Sequence, residues 1–415
     1  MSRDLDIVIV GAGAVGAVAA TLLIQRGVVE PGRIALVADH FLAPAPAGAD
    51  WDLRVFALSR ASEQILRACG IWQRLATDRV SAYERMCVWD ASGAADGNGS
   101  LRFDCVEIGE ANLGSIVDGR RLQHDCLQAA RAAGAILIEA GIDSVVLAED
   151  GVEIGLADGR ELHCQLILAA DGVESKTRAL LGIDSAGHSY HQDALVAHVR
   201  TTLPHESTAW QRFLGTGPLA LLPLPDGRSS LVWSTSKPEA ARLGALDAEA
   251  FGAALTEASG AVLGACTITT PIARFPLRLQ YATQYVVKRA ALLGDAAHVV
   301  HPLAGQGLNL GLLDVAALAE VLGDAADPAS FGDLRLLRRY ERWRKSENLA
   351  AAIALDGLER LFSSQRVAVQ RLRSTGLGAV ARLPMLKREL ARRALGLTGD
   401  LPRFLSQADP VSPHR

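Results

Sequence analysis

The sequence predicts an α/β protein: a Rossmann-like cofactor domain interrupted by a mostly antiparallel β-sheet domain, with a helical C-terminal region. Three observations predict it. A glycine pattern, GAGAVG, sits between a short apolar strand and a small-residue helix at the N-terminus. Short Val-, Leu-, Trp- and Thr-rich runs separated by turn signals fill the middle. Near residue 300 a strand, an acid, a glycine-rich turn and an apolar helix follow one another from Gly294 to Asp314.

Leu5 to Val10 reads as a buried strand, Ala14 to Gln25 as a helix ending near Gly27, and Ile34 to Val37 as a second buried strand. Together they form a βαβ unit of mononucleotide-binding size. Met86 to Trp89, Leu195 to Thr202, Leu219 to Leu222 and Ser229 to Ser234 read as strands, and Pro225-Asp226-Gly227 marks a hairpin turn. Leu122 to Ala133 and Leu308 to Leu322 read as helices on either side of this sheet-rich stretch. The expected cofactor domain is therefore discontinuous (1–75, 106–182 and 285–333). The sheet domain takes 76–105 and 183–284, and a basic helical region takes 334–415.

The bulk numbers exclude several classes. A net charge of −4 over 415 residues gives no electrostatic footprint for nucleic acid. Hydrophobic residues make up 49%, as in globular proteins. No run reaches the roughly 18 apolar residues of a membrane span, and Asp4 and Asp6 interrupt any signal-peptide pattern. The expected location is the cytoplasm, or the periphery of the membrane's inner face. The six cysteines are scattered without a CxxC pair, so reduced thiols are expected and neither metal nor disulfide.

Each glycine of the first motif has a physical reason. Gly11 permits the tight turn, Gly13 lets a pyrophosphate approach the backbone, and Gly16 lets helix and strand pack closely. An acid about 20 residues further on should hold a ribose hydroxyl. Asp39 stands 23 residues after Gly16, although the strand-end position itself is Ala38. A second signal is the strand Ile167 to Ala170 ending in Asp171-Gly172, with Ser175 and Arg178 following. On its own this reads as a turn and an N-capped helix. In the third segment, the acid and glycines at a helix start suit a cofactor with hydroxyls and negative charge. His298 and His301 form an HxxH pair, read as structural or cofactor-adjacent rather than metal-ligating. His188 and His191 are read as surface residues.

These three segments in this order resemble the para-hydroxybenzoate hydroxylase-like flavoprotein aromatic hydroxylases, over most of the chain from Asp6 to about Leu405. The spelling GDAAHVVHPLAGQGLNLGLLD is similar to the ubiquinone-biosynthesis, or polyprenylphenol hydroxylase, branch. Asp52-Leu53-Arg54-Val55-Phe56-Ala57-Leu58 resembles that branch's DxRxxAL segment, and Gly396-Leu397-Thr398-Gly399-Asp400-Leu401-Pro402 its closing GLxGxLP. Two positions depart from the pattern: Ala38 replaces a strand-end Glu, and Gly119 replaces the Asn of a VEN segment.

The resemblance implies FAD as cofactor and NADPH or NADH as transient electron donor. It places Gly11, Gly13 and Gly16 at the ADP part, Asp171 and Gly172 near the pyrophosphate, and Gly294 and Asp295 at the ribityl chain. Arg54 and Arg178 become basic partners of the cofactor. Pro302, Gly305, Gln306, Gly307, Leu308 and Asn309 wrap the isoalloxazine. The implied reaction is hydroxylation of a polyprenylated phenol with O2 through a C4a-hydroperoxyflavin. The cofactor carries the difficult step, and no side chain is assigned as catalytic.

Other readings stay open: hydroxylation of another aromatic metabolite, a flavin-dependent prenyl reductase, or a non-catalytic flavin-binding scaffold. Trp210, Phe213, Leu221, Pro223 and Trp233 are candidates for the substrate side, each more often simple core. The tail combines Arg371, Arg373, Arg382, Lys387, Arg388, Arg392 and Arg393 with Leu377, Val380, Leu383, Leu386 and Leu390. That pattern fits a solvated helix face, or a contact with a membrane surface or a quinone-biosynthesis complex.

Overall fold

The computed structural model describes residues 4–46, 48–97, 99–300, 305–363 and 383–406. Three sheets organise them. The first has a parallel core in the spatial order Ala290–Leu292, Glu161–Ala169, Asp4–Val10, Ile34–Ala38 and Ile136–Glu139. These strands are buried on both faces and accordingly read as near-continuous apolar runs. Ile142–Leu147 and Val152–Leu156 extend the sheet as an antiparallel meander against Glu161–Ala169.

The helix Ala14–Gln25 is buried almost all round and belongs to the main core together with Gly119–Ala133 and Gln306–Gly323. Its alanines keep those neighbours close, and Gly16 and Gly311 show how close. A methyl group on Gly16 would sit 2.0 Å from the Gly11 carbonyl oxygen, and one on Gly311 would sit 2.8 Å from Val15.

The second sheet is antiparallel apart from one pairing. Its path runs through Ala273–Ala282, Ser185–Thr201, Ser229–Ser236, Gly217–Pro223, Thr208–Leu214, Arg85–Asp90 and Ser100–Asp104. One face is covered by the helices Lys237–Gly244 and Ala248–Ala258, where Leu195, Leu219, Leu221, Leu231 and Trp233 pack against Phe251 and Leu255. The strand Ser185–Thr201 is much longer than the apolar run from Leu195. Its polar first half pairs with Arg278 to Ala282, and backbone pairing carries it where hydrophobic pattern gives no signal.

A small third sheet, Val55–Leu58, Gly114–Asp118 and Val80–Tyr83, joins the other two. The long helix Leu334–Ser363 lies against Gln306–Gly323, and Tyr340 donates its hydroxyl to the Leu292 carbonyl at 2.7 Å.

Candidate cofactor and active site

The carboxyl ends of the parallel strands gather the expected cofactor residues. Gly11 follows Asp4–Val10, Asp39 stands exposed just past Ile34–Ala38, Asp171 follows Glu161–Ala169, and Asp295 follows Ala290–Leu292. This is where open α/β sheets bind ligands.

The glycines at the first turn divide by function. A methyl group on Gly11 would lie 2.2 Å from the Ala170 carbonyl oxygen, so Gly11 and Gly16 serve packing. Gly13 has nothing within 4 Å of that position and is exposed, leaving the helix start open. The helix Ala14–Gln25 has no side-chain cap and no acid in its first turn. Gln306–Gly323 likewise starts on Gly305 (φ +63°) without a side-chain cap or first-turn acid. Two helix N-termini with unclaimed N–H groups suit the diphosphate and the electron-rich ring of a flavin dinucleotide.

Asp295 lies beside the second of these helix starts: a methyl group on Gly307 would sit 3.8 Å from its Oδ1. Burial pushes its carboxyl above the usual range, while the charges of His298 and Arg54 pull it down. The turn itself is held from behind by Asp314, which is fully buried. Asp314 accepts from Gly294 N at 3.2 Å, from Arg344 Nε at 2.9 Å and from Asn348 Nδ2 at 3.0 Å, and His298 Nε2 lies 2.5 Å away. Burial alone would raise this carboxyl, but His298, Arg344 and Asn348 outweigh it and hold it at about 2. Sequence reasoning assigned Asp314 no role. The signal was there: it is the one charged residue among the first twelve residues of a mostly apolar helix.

Three expected cofactor residues are occupied by protein contacts. Asp171 accepts from Ser175 Oγ, Thr177 N and Thr177 Oγ1, so its carboxylate organises its own turn. Arg178 is buried and donates to the Ala296 carbonyl at 2.9 Å and the Val173 carbonyl at 3.2 Å, tying the Asp-Gly turn to the Gly-Asp turn. Asn309 donates to the carbonyls of Ala57 and Gly305 and accepts from Ser59 N and Ser62 Oγ, all between 2.7 and 3.0 Å. It clamps the start of Gln306–Gly323 to the strand Val55–Leu58. Gly172 (φ +84°) makes its turn with open space around it. Arg54 is exposed, with its guanidinium 5.1 Å from the Phe56 ring. Gln306, Gly307 and Leu308 form the first turn of their helix. Pro302 and His301 lie outside the described residues.

On the substrate side, alternation along the strands decides between the core and substrate readings. Trp210, Leu221 and Trp233 belong to the helix-covered face and its core, and Pro223 shares their parity. Only Phe213 falls on the face turned toward the cofactor domain. That face instead presents Ala220, Leu222 and Val232, and Leu222 shares an apolar cluster with Val55, Ala57 and Tyr83. His198 and Ser230 are direct cross-strand partners on it, both fully buried, and neither has a side-chain hydrogen bond among the described residues. Burial, with Arg228 nearby, pulls the His198 imidazole below its ordinary value. Aromatic residues drew attention in the sequence, but the pleat decides which of them can meet a substrate.

The FAD binding domain family model matches residues 4–351. The chain belongs to that family. It is 36% identical to the ubiquinone hydroxylase UbiL of Rhodospirillum rubrum, covering 94% of this chain and 89% of that one. It is 33% identical to the 3-demethoxyubiquinol 3-hydroxylase of Escherichia coli, covering 95% and 100%. It is 34% identical to the human mitochondrial ubiquinone biosynthesis monooxygenase COQ6, covering 81% of each. Among solved structures, the fold is shared with p-nitrophenol 4-monooxygenase PnpA of Pseudomonas putida at a TM-score of 0.75 and 16% identity, covering 96% of this chain and 100% of that one. The protein is an FAD-dependent monooxygenase that draws on NAD(P)H and O2 and acts on an aromatic small molecule. Among the described residues no helix is long and apolar enough to cross a membrane.

Proposed function

We propose that this flavoenzyme hydroxylates the aromatic ring of a polyprenylated phenol in ubiquinone biosynthesis, meeting the membrane only at its surface. The observation that carries the reading is the pair of open helix starts around Asp295, in a chain whose full-length relatives bear ubiquinone-hydroxylase names. The open turn at Gly13 would take the diphosphate of FAD, Asp39 a ribose hydroxyl and Asp295 the ribityl hydroxyls. The start of Gln306–Gly323 would face the flavin ring. Bound FAD supplies the redox and oxygen-transfer chemistry.

The chain's own residues position and dry the site. The positive end of the helix Gln306–Gly323 favours negative charge on the ring beside it. Asp314 fixes the Gly294 amide and therefore the Asp295 turn. Leu222, Ala220 and Val232 present an apolar surface that excludes water from an aromatic substrate.

Purified protein should be yellow, and a prenylated phenol should accelerate NAD(P)H oxidation. Mass spectrometry of a deletion strain should show one accumulating quinone precursor that lacks a ring hydroxyl. A protein that cannot be reconstituted with FAD, or a deletion strain with unchanged quinone intermediates, defeats the reading.

A further inference from the structure

A cavity of about 110 Å³ lies where the second and third sheets, the start of Gln306–Gly323 and the C-terminal region meet. Tyr83, Met86 and Phe103 line it together with Gln306, from the first turn of Gln306–Gly323. Leu390 and Ala391 of the helix Pro384–Ala394 roof it. The lining is mostly apolar, with Ser59, Gln306 and Asn309 among its few polar groups, and a void of this kind favours a hydrocarbon over water.

Among the described residues, Arg393 of the roof helix pairs with Glu347, and Leu395 at its end packs among Cys105 and Leu113. The Leu395 carbonyl accepts from Ala61 N, and Lys387 pairs with Glu107. Its outer side carries large apolar groups in water: Leu383, Met385, Leu386 and Leu390 are 54, 87, 44 and 45% exposed. Val106, on the neighbouring short helix, is 80% exposed. Monomers rarely leave such residues grouped. The same helix holds Lys387, Arg388, Arg392 and Arg393 against one acid, Glu389, in a chain whose net charge is −4. Apolar anchors flanked by cations match an anionic lipid surface. Leu390 belongs to both sets, exposed on one side and lining the cavity on the other.

We propose that the cavity seats the ring-proximal stretch of the substrate's isoprenoid chain, which enters from anionic lipid beneath the helix Pro384–Ala394. The inference rests on the prenylated-phenol reading above. It assigns Met86, Phe103, Leu390 and Ala391 to the chain and the outer face of the helix to the bilayer.

The test uses FAD-loaded, full-length protein and a farnesylated phenol with a photoreactive diazirine on its first isoprene unit. Adducts are expected on Met86, Phe103 or residues 390–395. Ala394→Trp, which fills the cavity, should cut that labelling by at least about fivefold. If that variant does not retain FAD, Ala391→Leu makes the same test. Adducts confined to other segments, or labelling indifferent to the filled cavity, overturn the tail site. Hydroxylation of the same compound is measured separately. Cavity labelling without hydroxylation defeats the proposed reaction and leaves the tail site standing, and hydroxylation with labelling elsewhere does the reverse. For the lipid half, the protein should float with phosphatidylglycerol-containing vesicles and not with pure phosphatidylcholine. Met385→Asp combined with Leu386→Asp should weaken flotation by roughly tenfold or more, and unchanged flotation overturns it.

Discussion

Two kinds of helix start coexist in this molecule. Arg60–Ala68, Gly119–Ala133 and Ala248–Ala258 begin on Ser59, Asp118 and Asp247, whose side chains accept from first-turn amides. Ala14–Gln25 and Gln306–Gly323 begin on glycines that offer nothing. A cap contributes about 1 kcal/mol, so the two open starts forgo stability that the other three keep. Lys237–Gly244 and Pro384–Ala394 also lack a side-chain cap but carry a proline in the first turn, and the two starts that rest on glycine are those beside the expected cofactor surface. Local stability is left incomplete where a ligand is to complete it, and the glycines beside the open starts divide into those that pack and those that make room.

The sharpest test of that division is Gly16→Ala against Gly13→Ala. The first places a methyl group 2.0 Å from the Gly11 carbonyl oxygen. It should cost more than about 4 kcal/mol, giving little folded protein in a thermal melt. The second meets nothing within 4 Å and should leave the apoprotein melt nearly unchanged.

Next in size is Asp314→Asn, which strands the buried Arg344 and should cost about 3–5 kcal/mol. The same carboxyl sets an acid limit. Its folded value of about 2 lies below the roughly 3.9 of an unfolded Asp, so its contribution is complete above pH ~4 and fades as pH falls toward 2. Denaturant midpoints measured across that window should fall more steeply in the parent than in Asp314→Asn.

Gly13→Asp separates the two kinds of start most directly. The backbone there is already extended (φ −69°, ψ 179°), as an N-cap requires. The apoprotein should gain up to about 1 kcal/mol, while FAD titration shows affinity weakened by roughly tenfold or more from the anion placed at the diphosphate position. Movement of both in one direction would break the comparison. The smallest effect is expected for Asp247→Ala: about 1 kcal/mol in the melt, with FAD affinity unaltered.

Much of the cofactor domain was legible because its signals are local. The helix Ala14–Gln25 has the bounds its small apolar pattern predicts, and Asp171 and Ser175 make the turn and cap that their residue types favour. Partners distant in sequence were not legible. Asp314 and Arg344 are 30 residues apart and Ser59 and Asn309 are 250 apart, and only the fold brings each pair together. The substrate face was not legible for a different reason. Trp233 and Val232 differ by one residue and face opposite sides, and period-2 alternation identifies two faces without saying which one a helix will cover.

The Asp314 clamp also says how long a working piece of this protein must be. Every glycine of the cofactor motifs has been passed by Gly311, so a fragment ending there keeps all of them. Its Asp295 turn would lack Asp314, and a fragment ending before Leu334 would leave Asp314 without the Arg344 and Asn348 donors. A fragment that keeps the donors of Asp314 therefore has to run past Asn348, inside the helix Leu334–Ser363.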